Sequence, residues 1–123
     1  MLRAIADTRL ANPVFLGGDL HAFAAARLLA DFRDAGSPVI ASEFVGSSIT
    51  SDAAPDSLLK ALPRNPHVQL MDNRHRGYLS ISLTNARMET RLRAISDRLD
   101  RNATVSTLKT FVVEAGRPGP VAA

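Results

Sequence analysis

Apolar residues along this chain come in short runs, and most of those runs have the spacing of strands. Residues 14–17, Val-Phe-Leu-Gly, form a compact apolar run directly after Asn12-Pro13, a pair that closes off whatever precedes it. In the preceding residues 1–10, Leu2, Ile5, Ala6 and Leu10 recur at helical spacing and predict an amphipathic helix. Residues 39–45 predict a buried strand, entered through Ser37-Pro38 and left at Gly46. Residues 67–71 and 78–83 read as paired strands, the second with Tyr78, Ser80 and Ser82 alternating against Leu79, Ile81 and Leu83. Residues 107–114 predict a last strand, and a Gly/Pro-rich tail runs from Gly116.

Two segments pull both ways. Residues 22–32 hold consecutive alanines and two leucines, good helix formers whose local propensity favours a helix. Met88, Leu92, Ile95 and Leu99 fall on one helical face, yet Thr90, Leu92 and Ala94 also alternate with Arg91 and Arg93 as in a strand. Residues 47–63 are polar and interrupted by Pro55, which predicts a mobile surface loop with room for a short helical piece at 56–62.

Composition narrows the classes. A length of 123 residues suits one core with little room for a second domain, and 46% apolar content excludes general disorder. With no cysteine, neither a disulfide framework nor a thiolate metal site can form within the chain. No long uncharged apolar run and no basic-then-apolar leader occurs, so neither a membrane span nor a signal peptide is expected in these residues. The net charge of +3 permits attraction to phosphate-bearing molecules. The basic residues are nearly all arginine, with only Lys60 and Lys109 as lysines, and they alternate with acids instead of forming a block. One tyrosine and no tryptophan leave few platforms for stacking bases, so nucleic acid is a poor fit as partner.

Candidate chemistry begins at Gly17-Gly18-Asp19-Leu20-His21. An apolar strand running into this segment delivers a carboxylate and an imidazole together at a strand end. Glycines let the chain turn there, and Asp19 and His21, two apart, share one side if extended. Carboxylate oxygen with imidazole nitrogen suits a hydrolytic metal centre. The competing reading makes Asp19 the cap of a following helix and His21 an ordinary polar residue in its first turn. Glu43 lies within the apolar run 39–45, where it could orient His21 as an acceptor behind the ligands or sit as a structural acid. Arg74 and Arg76, flanking His75, could hold a substrate phosphate through charge-assisted hydrogen bonds, or could form a solvated turn between strands. Ser47, Ser48, Thr50 and Ser51 are hydroxyl-rich but have no visible general base, so turn duty explains them better than nucleophilic catalysis. His67 reads as a residue that starts a strand.

The order and spacing of the Gly17-to-His21 motif, the 37–51 segment, Asn65-Pro66-His67-Val68, the 72–78 segment Asp-Asn-Arg-His-Arg-Gly-Tyr and the 105–119 segment resemble the PhoD-like alkaline phosphatase family. His75 interrupts an otherwise arginine-type family segment. The resemblance covers nearly the whole chain, from about residue 12 to 119, and matches the carboxy-terminal part of a much longer catalytic region. It implies an α/β fold, the carboxy-terminal part of a metallophosphatase-type sandwich with mostly antiparallel strands and a flanking helix. Residues 1–119 would form a partial domain and residues 120–123 a tail. It implies a strand over 89–95, which we adopt, and an extended segment around 28–32.

By the same resemblance, Asp19 and His21 would be metal ligands, the metals would be calcium and iron, and the substrate a phosphate monoester or diester. The other ligands would lie in an amino-terminal half outside this chain, so the site here would be partial, completed by that half or by self-association. Family members would be secreted or in the cell envelope. Two other readings stay open: a catalytically inactive fragment or interaction module that keeps the scaffold, and a basic nucleic-acid-binding module using Arg74, His75, Arg76 and the arginines of 87–101.

Overall fold

Among the described residues, short apolar runs punctuated by Gly, Pro and Asn become eight strands and one helix. The computed structural model describes residues 1–34, 36–53, 55–57, 60 and 65–123. Helix α1 (Leu2–Thr8) ends where Arg9 takes a left-handed conformation (φ 51°), and Asn12 (φ 56°) with Pro13 turns the chain into β1. The strands are β1 (Val14–Gly17), β2 (Phe23–Leu29), β3 (Val39–Val45), β4 (Val68–Asp72), β5 (Arg76–Leu83), β6 (Arg87–Ile95), β7 (Val105–Glu114) and β8 (Val121–Ala122). They form two four-stranded sheets, ordered β1-β3-β2-β4 and β5-β6-β7-β8. Pairing is antiparallel throughout except between β1 and β3. The molecule is therefore mostly β, and the helical share of the expected α/β class is α1 alone among the described residues.

The sheets share one core. Phe23, Ala25 and Phe44 from the first meet Met88, Leu92, Phe111 and Val113 from the second, with Val14, Leu70, Leu79 and Leu108 packed around them. Phe44 and Phe111 stand with ring centroids 6.0 Å apart and tilted by 56°, a favourable aromatic arrangement across the layers. Two hydrogen bonds clamp the sheets at their margins: Asn12 Nδ2 donates to the Glu114 carbonyl (2.8 Å), and Gly119 N–H donates to buried Ser42 Oγ (2.9 Å).

Local propensity fails at β2, where the alanine run is a strand. Phe23 to Ala26 are buried in succession because β2 lies between β3 and β4, with ladders on both sides. Two ladders outweigh a helix preference of a few tenths of a kcal/mol per residue. The extended segment expected near 28–32 starts earlier, at Phe23.

In β6 the strand reading holds. Met88, Thr90, Leu92 and Ala94 are buried at period two, while Leu99, which a helix would have turned inward, is 78% exposed. Met88 and Leu92 satisfied both patterns because a spacing of four is also a multiple of two.

The expected pairing of the strands at 67–71 and 78–83 is corrected. β4 pairs with β2 in the first sheet and β5 with β6 in the second, so residues 73–75 form a corner between layers. The tail from Gly116 also differs from expectation: Pro120 is buried, and Val121–Ala122 adds a short strand against β7. The helical piece expected at 56–62 falls mostly on residues outside the described set. No helix among the described residues is long and apolar enough to cross a membrane.

Candidate functional site

Strand β1 ends at Gly17, held by Gly46 N–H donating to the Gly17 carbonyl (2.9 Å), and the chain then bends through residues 18–22 into β2. Asp19 (φ 66°) and His21 (φ 55°) are both left-handed, so the extended geometry that would have placed them on one side is not adopted. Asp and His tolerate this region better than most side chains. No helix follows Asp19, which rules out the capping alternative. The Asp19 carboxylate is exposed and makes no hydrogen bond or ion pair with the described residues. His21 Nδ1 lies 3.0 Å from the Asp52 carbonyl oxygen. A carbonyl only accepts, so Nδ1 carries the proton and, in the neutral ring, Nε2 keeps its lone pair.

The segment that supplies this carbonyl is latched at several points. Ser47 Oγ donates to the His75 carbonyl (3.0 Å), Ser48 Oγ to the Ser51 carbonyl (3.1 Å), and Gly77 N–H to the Ser48 carbonyl (2.9 Å). Arg98 Nη1 donates to the Thr50 carbonyl (2.9 Å), and Arg98 Nη2 pairs with the Asp52 carboxylate. The hydroxyls of Ser47 and Ser48 thus do turn duty, and residues 47–53 are tied down where the sequence predicted mobility.

The corner at 72–76 is organised around Asp72. Its Oδ1 accepts from Arg74 N–H (3.0 Å), His75 N–H (2.9 Å) and His75 Nδ1 (3.0 Å). Burial alone would raise its pKa. The hydrogen bonds from the His75 backbone and ring, attraction to that ring and the Arg74 N–H outweigh burial, and the carboxyl lies below its ordinary value. Arg74 is largely exposed and approaches Asp72 only loosely, at 3.7 Å. Arg76 is 7% exposed and donates from Nη2 to the Asn73 carbonyl, and among the described residues its Nε and Nη1 meet no acceptor. Of the two arginines proposed for substrate phosphate, one is thus a surface group and the other an interior one.

Glu43 is half-buried in β3, opposite Phe15 and Ala26, and makes no hydrogen bond to His21; the acceptor that meets the ring is the Asp52 carbonyl. His67 starts β4, its carbonyl accepting from Arg27 N–H (2.9 Å) and its ring 4.6 Å from that of Phe32. Among the described residues, no three His, Cys, Asp or Glu side chains stand close enough together to hold a metal ion. Sequence reasoning missed Asp52 and Arg98. A backbone carbonyl has no signature, and Arg98 meets the loop across a sequence separation of 46.

Comparison with known proteins agrees along the chain. The family model for PhoD-like phosphatases matches residues 1–92. Alkaline phosphatase D of Bacillus subtilis (strain 168) is 33% identical over 126 residues, a match covering 97% of this chain and 21% of that protein. A solved structure of PhoD superposes with a TM-score of 0.86 at 32% identity, covering 98% of this chain and 24% of that one. The chain thus spans less than a quarter of the length of these relatives.

Proposed function

This chain belongs to the PhoD-like phosphatase family, and from that premise we propose that it contributes Asp19 and His21 to a metal centre that hydrolyses phosphate monoesters or diesters. The observation that carries the reading is the His21 ring: its Nδ1 proton is committed to the Asp52 carbonyl, which leaves Nε2 as the ligand nitrogen. Backing of this kind fixes the tautomer and orientation of a metal-bound imidazole. The unpartnered Asp19 carboxylate on the same bend supplies a hard oxygen suited to calcium, and imidazole suits iron, so the donor set fits both metals of the family resemblance.

A bound metal would neutralise the charge of the phosphate oxygens and lower the pKa of an attacking water. The chain's own residues do the positioning. The bend at 18–22 presents the carboxylate and imidazole at the end of β1, and the Asp52 carbonyl, on a loop held by Arg98, orients the imidazole. Glu43 serves β3 as a half-buried acid. Two ligands make a partial centre, so the remainder comes from an amino-terminal part of the domain or from a second copy. On this reading residues 1–119 form the carboxy-terminal part of a metallophosphatase sandwich, secreted or in the cell envelope as in the family.

The test is hydrolysis of chromogenic phosphate mono- and diesters by the chain, with added calcium and iron, alone and mixed with a matching amino-terminal segment. Activity abolished by chelator and by His21→Ala is expected. Activity that survives both would sink the metal reading. Inactivity in every mixture would favour the scaffold-only reading.

A further inference from the structure

Where the tail after β7 passes the margins of both sheets it leaves a cavity of about 620 Å³. Three arginines line it, Arg27 from β2, Arg87 from β6 and Arg117 from the tail, against one acidic side chain, Glu114 from β7. Val39, Val112 and Val121 add an apolar wall. We propose that this cavity binds a small organic oxyanion with an apolar tail, of which a medium-chain carboxylate is the simplest form.

The charges of the lining are unbalanced and within reach of a ligand. All three arginines are exposed. The side chains of Arg27 and Arg117 make no hydrogen bond or ion pair among the described residues. Arg87 meets Glu89 only loosely, at 3.9 Å, and Glu89 is already paired with Arg91. Glu114 stands opposite Arg87 in the β6–β7 register, yet the two form no ion pair. Three like charges around one concavity build a positive potential there, and its low-dielectric walls focus that potential on an entering anion. Guanidinium forks hold a carboxylate or phosphate through paired, charge-assisted hydrogen bonds.

The backbone shapes the cavity for such a ligand. At Gly119 (φ 107°) a Cβ would stand 3.1 Å from Val39 Cγ1 and 3.4 Å from Arg27 Cγ, so the missing side chain lets the Arg27 stem lie against the tail. The tail is fixed at that point by the Gly119 N–H bond to Ser42 Oγ. The apolar wall follows from register: Val112 pairs with Val121 on the face of β7 opposite the core residues Phe111 and Val113, and Val121 is 57% exposed. The volume is within the range of roughly 300 to 1,000 Å³ usual for small-molecule sites. Strand β3 runs from Val39 at the cavity to Val45, which pairs with Gly17 before the bend, so the cavity and the bend stand on the order of 20 Å apart. Neither Asp19 nor His21 takes part, and binding here stands or falls apart from the metal centre.

The test is titration of the full chain with octanoate, acetate or octyltrimethylammonium at matched ionic strength, followed by calorimetry and by the amide resonances of Gly119 and Val121. Octanoate is expected to bind saturably and to shift both resonances, with acetate roughly tenfold weaker or more and no saturable response to the ammonium. Arg27→Ala and Arg117→Ala, both at exposed positions, are each expected to weaken octanoate roughly tenfold. Arg101→Ala, an exposed arginine outside the cavity, and His21→Ala are expected to leave its affinity unchanged. If one cavity variant does not fold, the other and the two resonances still decide. A flat titration with octanoate would overturn the site outright. Equal binding of octanoate and the ammonium would reduce it to apolar association, and a loss in Arg101→Ala as large as in Arg27→Ala would reduce it to diffuse charge attraction; either overturns it. Equal affinity for acetate and octanoate would overturn the apolar half of the assignment. A loss in His21→Ala would place the anion at the bend and overturn the site as well.

Discussion

A Cβ built on Gly77 would overlap the carbonyl oxygen of Arg93 on the neighbouring strand, and the residue's φ of 154° is outside the usual range for other side chains. Gly77→Ala is therefore expected to destabilise the fold by at least ~2 kcal/mol, read as a lower urea midpoint with an unchanged slope. Asp72 sets the acid limb of stability. Its folded pKa lies below the ordinary 3.8, so the stabilisation is fully present above that value and is lost as pH falls through the lowered pKa. Denaturation midpoints measured from pH 6 to pH 2.5 should be steady above about pH 4 and decline below it. Asp72→Asn should lower the plateau and flatten the decline; a parallel curve would refute the assignment. The flattening stays incomplete, because Arg33 holds the exposed Asp31 carboxyl down to about 2 through its side-chain and backbone hydrogen bonds. At this scale the sequence singled out Asp19 and His21 as candidates. It could not show the left-handed backbone at both, the Asp52 carbonyl behind the imidazole, or the burial of Arg76, since each depends on residues brought together from distant parts of the chain.

Among the elements, those readable from local pattern were the short apolar runs whose ends carry Pro or Gly, such as β1 and β3. β2 was unreadable because its alanines are decided by two neighbouring strands that no window of the sequence contains. β6 was ambiguous to periodicity, and the exposed Leu99 shows why the helix fails: burial follows period two from Met88 to Ala94, and the strand ends at Ile95. The corner at 73–75 misled for another reason, since two strands three residues apart usually pair as a hairpin. Here Asp72 gathers three donors and Arg76 reaches back to Asn73, which turns the chain from one layer into the other. Leu92, fully buried at the centre of β6, gives the element-scale prediction. Leu92→Ala should cost about 3 kcal/mol, checked by chemical denaturation, and a cost under about 1 kcal/mol would mean that the two layers are not tightly packed there.

For the whole molecule, the free margins of the first sheet matter most. β1 is an edge strand among the described residues, and Leu16 on it is 59% exposed. Such an edge invites pairing with another strand, which is the place a further part of the domain or a second copy would join. Sedimentation of the isolated chain should show concentration-dependent association, and Leu16→Lys should shift it towards monomer; a wild-type chain that stays monomeric at high concentration would count against this docking edge. The two clasps between the sheets have a consequence in time. Ser42 waits for Gly119, 77 residues later, and Asn12 for Glu114, 102 residues later. While the ribosome is still making β6 and β7, the inner face around Phe23 and Phe44 lacks the Met88, Leu92, Phe111 and Val113 side chains that complete its core. The bend bearing Asp19 and His21 is therefore synthesised early but gains its rigid footing only when the final strands have left the exit tunnel.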